Sequence, residues 1–123
     1  MKKLKIVVIG ETCVDKFIYC KIDRLSPEAP VPVLQPLTTE NNAGMSGNTV
    51  ANIKALAPES QVIHFSNLKQ ITKTRYVEDK TNHMFLRVDE GDNSIEPFKW
   101  SDDYKQFLEE ADVVIVSDYD KGY

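Results

Sequence analysis

The sequence predicts an α/β protein: a mostly parallel sheet with flanking helices, joined to a small antiparallel β flap. Three observations predict it. Residues 4–9 (Leu-Lys-Ile-Val-Val-Ile) and 111–116 (Ala-Asp-Val-Val-Ile-Val) are short, β-branched runs without polar alternation, the pattern of strands covered on both faces. A helical stripe of Tyr104, Phe107, Leu108 and Ala111 leads straight into the second run, and a helix feeding a buried strand is an α/β signature. Residues 71–77 and 84–89 flank a polar stretch, and Thr72, Thr74 and Tyr76 alternate with their neighbours, which is period-two patterning for an antiparallel hairpin.

Taken in order, the first strand stops at Gly10. Residues 21–39 hold Pro27, Pro30, Pro32 and Pro36. Proline lacks the N–H a ladder needs, so this segment is extended but is no central strand. A helix begins near Ser46 or Gly47, carries Val50, Ile53 and Ala57 at helical spacing, and ends at Pro58. Residues 61–65 form a weaker buried strand. The last helix starts after Ser101, a suitable N-cap, with Asp102 and Asp103 at the positive end of its dipole.

Composition narrows the function. Apolar residues make up 41% of the 123, charged residues 28%, and 15 Lys plus Arg stand against 19 Asp plus Glu for a net charge of -4. A core is available, and the acidic balance argues against a generic nucleic-acid binder, whose affinity comes from neutralising phosphates. No apolar run reaches the ~18–20 residues that span a bilayer. The run after Met1-Lys2-Lys3 is too short for a signal peptide, and Cys13 and Cys20 have no metal-ligand spacing, so the expectation is a cytoplasmic protein with free thiols, no membrane partner and no metal site.

Few residues point to chemistry on pattern alone. Asn41-Asn42-Ala43-Gly44-Met45-Ser46-Gly47-Asn48 places small residues before a helix, where free N–H groups and close backbone approach suit a polar ligand; an ordinary turn with a helix cap has the same pattern. It is neither a Walker loop nor a dinucleotide fingerprint. Asp15 follows the first strand by a few residues and Asp118 follows the last, and ligands of open α/β sheets bind beyond the carboxyl ends of strands. Each is equally a surface carboxylate. Lys121 lies beside Asp118 and Asp120. His64 and His83 belong to no triad or metal motif.

Together the motifs resemble a known family. Gly10-Glu11-Thr12-Cys13-Val14-Asp15, Arg24-Leu25-Ser26-Pro27-Glu28-Ala29-Pro30-Val31-Pro32-Val33, residues 44–53, and Ser117-Asp118-Tyr119-Asp120-Lys121-Gly122 follow the order seen in the ribokinase-like (PfkB) carbohydrate kinases. The branch they resemble is the heptose-phosphate kinase half of bifunctional ADP-heptose synthases. The resemblance implies a ribokinase-like α/β fold, present here in part as residues 1–123, with a small β lid built from about residues 17–39 and 71–89. It implies that Asp15 binds sugar hydroxyls and that Gly44, Met45 and Asn48 line the same pocket. Asn52, Arg87 and Asp118 match substrate-binding positions too, and Lys121 falls in an Asp-Tyr-x-Lys-Gly stretch where it either touches substrate or packs locally.

The chain also departs from that pattern. Glu11 stands where the family has aspartate, and Met45 where the branch has a second glycine. After Asn67 the family continues through a Gly-Asp segment, a helix and a strand, whereas here Leu68 leads directly to Gln70 and Ile71. The Gly-Ala-Gly-Asp motif, which gives the family its catalytic-base aspartate, anion hole and ATP site, does not occur in these residues. The implied function is thus the sugar-binding and lid portion of a kinase that transfers phosphoryl from ATP, with Mg, to a sugar hydroxyl. The expected ligand is a sugar or sugar phosphate, no residue here is catalytic, and the isolated chain is expected to be inactive. The alternative is a non-catalytic truncated homologue that dimerises through its lid or senses sugar.

Overall fold

The computed structural model describes residues 3–123. Its elements run β1 (Lys5–Ile9), β2 (Thr12–Lys21), β3 (Gln35–Met45), α1 (Ser46–Leu56), β4 (Gln61–Phe65), β5 (Ile71–Glu78), β6 (Met84–Glu90), α2 (Asp102–Glu110) and β7 (Val113–Val116). They form two sheets. A three-stranded parallel sheet has the order β4-β1-β7, and a four-stranded mixed sheet has the order β3-β2-β5-β6.

The parallel sheet is the product of the apolar runs. β1 lies at its centre, with Val7 and Val8 at most 1% exposed. One face packs on α1, where Ile6, Val8 and Val50 form a core joined by Leu4, Ile53, Val62 and Ile115. At the other, Phe65 meets Tyr104 and Phe107 of α2 edge-on. Ser101 occupies the N-cap of α2 in extended conformation, but its side chain makes no capping hydrogen bond, so the helix start rests on Asp102 and Asp103 in the first turn.

The second sheet departs from the sequence reading. The stretch 41–45 is not a loop: it is the end of β3, which pairs antiparallel with β2 and runs directly into α1. Asp15 is not in a loop beyond β1 but within β2. Pro36 is tolerated because β3 is an edge strand, and it lies where the β2–β3 register shifts between Tyr19 and Cys20. β2 and β5 pair in parallel at the sheet centre, and β5 and β6 form the expected antiparallel hairpin. Along β5 the buried positions are Ile71, Thr74 and Val77 rather than every second residue, as suits a central strand with cover on both faces.

Much apolar surface is left open. The chain exposes 8330 Å², against about 6,700 Å² expected for a compact monomer of this mass. Edge strands supply part of the difference: Met84, Phe85, Leu86 and Val88 on β6 and Val113, Val114 and Val116 on β7 are all exposed.

Candidate functional site

Period-two geometry puts Cys13, Asp15 and Phe17 on one face of β2. The register sets Gly44, Asn42 and Glu40 of β3 opposite them on one side, and Ile71, Lys73 and Arg75 of β5 on the other. The start of α1 adds Asn48 and Ala51, and the segment after β7 adds Tyr119. An open cavity of about 650 Å³ lies between the four-stranded sheet, the start of α1 and the segment after β7, with Cys13, Asp15, Phe17, Asn42, Gly44, Met45, Asn48, Lys73, Arg75 and Tyr119 in its wall.

Asp15 is its centre. Arg75 Nη1 donates to Asp15 Oδ1 at 2.9 Å, and the two side chains are only 21% and 26% exposed. The Arg75 guanidinium also lies over the Phe17 ring, 5.2 Å from its centroid, so it is held by a carboxylate and an aromatic face at once. Gly44 is required by close approach: a Cβ there would stand 2.5 Å from Asp15 Oδ2 and from Cys13 Sγ. Burial, and then the Asp15 carboxylate, push the Cys13 thiol up from its usual range, which disfavours the reactive thiolate.

Met45 has an unusual backbone. It sits at the N-cap of α1 with φ 53 and ψ -131, a region that favours glycine, and its side chain is buried with Cys13 and Ile71, against Ile95. Ser46 follows as a fully buried hydroxyl that donates to Gly10 O at 2.9 Å and lies 2.8 Å from His64 Nε2.

Asp15, Gly44, Met45 and Asn48 therefore meet in one cavity. The other expected site residues stand outside its wall. Asn52 is exposed on α1. Arg87 pairs in register with Arg75 on β6 but makes its ion pair with Asp89, 2.9 Å away. Asp118 lines a different hollow with Gly10 and Ser117, and its Oδ1 accepts from Asp120 N. Lys121 pairs with Asp92 at 3.3 Å. Sequence reasoning missed Lys73, Arg75, Phe17, Asn42 and Tyr119. The signal that finds Lys73 and Arg75 is their alternation in the hairpin strand, which places both on the face of Asp15 once β5 is paired with β2.

Chemically, the wall offers one carboxylate, two cations, two amides and two aromatic rings, a set suited to a polyhydroxylated, negatively charged small molecule. Among the described residues no cluster of His, Cys, Asp or Glu is placed to hold a metal ion. No helix among them is long and apolar enough to cross a membrane.

No family model matches the chain. Among curated proteins it is similar to the bifunctional protein HldE of Methylococcus capsulatus, 26% identical over 144 aligned residues, and to that of Caulobacter vibrioides, 30% identical over 145. These alignments take in 96% and 95% of this chain but only 30% of either relative. They run longer than the 123 residues available, so the relatives carry residues that this chain lacks. Among solved structures it superposes on a carbohydrate kinase from Agrobacterium tumefaciens with a TM-score of 0.55 and 13% identity, over 94% of this chain and 45% of that one. It also superposes on Arabidopsis thaliana ribokinase complexed with ribose and ATP, with a TM-score of 0.52, 13% identity and the same coverages. The fold is ribokinase-like, present over less than half the length of those kinases.

Proposed function

We propose that these residues form the sugar-binding and lid portion of an ATP-dependent carbohydrate kinase of the heptose-phosphate type, acting in a reducing cytoplasm. The observation that carries the reading is the Asp15–Arg75 pair in a cavity between the four-stranded sheet, the start of α1 and the segment after β7. On this reading the four-stranded sheet is the lid. Asp15 accepts hydrogen bonds from sugar hydroxyls, Asn42 and Asn48 offer amides, and Lys73 and Arg75 favour a substrate that carries a phosphate. Phe17 and Tyr119 cover sugar C–H faces, and the lid keeps water from the reacting hydroxyl.

ATP and Mg belong to the reaction of the whole kinase. The wall of this cavity does not fit them: its one carboxylate is engaged by Arg75, and no metal-holding cluster stands among the described residues. No step of phosphoryl transfer is therefore assigned to Asp15 or its neighbours; their contribution is binding, orientation and exclusion of water. Calorimetric titration of the 123-residue chain with a panel of hexose and heptose phosphates tests this. Binding is expected without ADP release in a coupled assay. Robust turnover would sink the assignment of positioning alone, and absence of binding to every member would sink the sugar site.

One observation favours the second reading, a non-catalytic lid module that pairs with another copy. Every residue of β6 is exposed, and Met84, Leu86 and Val88 present an apolar edge. Sedimentation equilibrium separates the two: a dimer dispersed by Leu86→Lys supports the module, and a monomer at all concentrations removes it.

A further inference from the structure

Glu11 is an acidic side chain only 1% exposed, on the short connection between β1 and β2. Enclosing a carboxylate is unfavourable unless hydrogen bonds satisfy it. Its Oε1 accepts from Tyr119 N at 2.5 Å and faces Lys121 N at 3.4 Å. Between those two amides Asp120 takes φ 56, in the left-handed region, so the N–H groups of residues 119 and 121 turn toward one point while that of Asp120 donates to Asp118 Oδ1. That is the geometry of a backbone nest around an anion, and here the anion is a side chain of the same protein.

The turn continues outward. Lys121 Nζ lies 3.3 Å from Asp92 Oδ2, while Asp92 Oδ1 is buried and makes no hydrogen bond. Asp92 sits just past β6, next to Gly91, whose φ of 87 turns the chain back toward Gln70 at the start of β5. Three residues on, Ile95 packs on Cys13, Met45 and Ile71. A continuous line of contacts thus runs from Glu11 through the 119–121 turn and Asp92 to the return of the four-stranded sheet. Tyr119, a wall residue of the cavity, is part of that turn.

We infer that Glu11 is a positioning residue: it clamps the 119–121 turn so that Tyr119 stays in the cavity wall, and the Lys121–Asp92 pair ties that turn to the four-stranded sheet. The placement of Tyr119 and the position of the sheet are then one coupled variable. The inference rests on the sugar reading only for the identity of the cavity's ligand.

Hydrogen exchange on the full chain, read by mass spectrometry without ligand, tests the clamp apart from sugar binding. Glu11→Leu removes the acceptor and is expected to speed exchange at the amides of residues 119 and 121 about tenfold or more, while Glu11→Gln, which keeps an oxygen there, restores most of the protection. Lys121→Met, a change at a partly exposed side chain that leaves the β1 core intact, is expected to raise exchange in residues 91–95 and at Tyr119 together, with residues 6–9 unchanged. The clamp is overturned if Glu11→Leu leaves the turn protected or Glu11→Gln behaves like Glu11→Leu. The coupling is overturned if Lys121→Met affects only residues 91–95. Failure of the chain to bind any sugar phosphate would remove the sugar reading and leave these exchange results standing.

Discussion

Arg75 reaches from β5 to Asp15 on the adjacent parallel strand, Nη1 to Oδ1 at 2.9 Å, with its guanidinium stacked over Phe17. The pair is three-quarters shielded from water, so each charge depends on the other. Arg75→Met strands the Asp15 carboxylate and is expected to destabilise the chain by about 1–3 kcal/mol, read as a lower urea midpoint. Asp15→Asn keeps an acceptor but loses the charge, and is expected to weaken sugar-phosphate binding about tenfold or more in calorimetry. Equal affinity of wild type and Asp15→Asn would show that the carboxylate does not face the sugar.

Gly44 lies directly across the ladder from Cys13, and its missing Cβ is the space that Asp15 Oδ2 and Cys13 Sγ occupy. A methyl group 2.5 Å from both must displace them. Gly44→Ala is expected to cost about 1–3 kcal/mol by overpacking and to disturb the Asp15–Arg75 pair. Binding should suffer more than folding. A variant of wild-type affinity would mean that the carboxylate relocates freely, against the reading of a preformed site.

At Met45 two effects oppose each other. The backbone at φ 53 favours glycine, while the side chain is buried against Cys13 and Ile71. Met45→Ala loses the packing and keeps the strain, and is expected to destabilise by about 2–5 kcal/mol. Met45→Gly loses the same packing but relaxes the backbone, and is expected to lie about 1 kcal/mol above the alanine variant in stability. At an ordinary helix position glycine would be the worse of the two. Urea denaturation of the two variants decides the order, and alanine above glycine would show that Met45 is unstrained.

What the sequence made legible follows from burial. Residues 4–9 and 111–116 read as parallel strands through their apolar runs, and residues 71–89 read as a hairpin through alternation. Only β1 is covered as the apolar pattern implies; β7 lies at the sheet edge with Val113, Val114 and Val116 exposed, against the expectation of cover on both faces. β3 was not legible: Gln-Pro-Leu-Thr-Thr-Glu-Asn-Asn is exposed along its whole length, an edge strand with little apolar signal and a proline in it. β2 was hidden for a related reason, since most of its positions are half-buried and carry both polar and apolar side chains. The site inherits this. Asp15, Gly44, Met45 and Asn48 stood out through motifs, but Lys73 and Arg75 enter only through the register of β5 on β2, and register is a tertiary fact that no local pattern encodes.

His64 gives the fold a pH dependence. On β4 its Nε2 lies 2.8 Å from Ser46 Oγ, and Ser46 spends its one proton on Gly10 O, so Nε2 carries the hydrogen and donates to the hydroxyl. Burial first, and then the charge of Lys54, lower the His64 pKa from 6.5. The folded state therefore takes up a proton less readily than the unfolded state. Stability from this group is fully present above the unfolded value and is lost as pH falls through the lower folded value. The urea midpoint of the wild type is expected to drop between about pH 7.5 and about pH 5.5, and that of His64→Gln, which retains an N–H donor without a titrating ring, to drop less over the same interval. Identical slopes in the two proteins would place the proton uptake elsewhere.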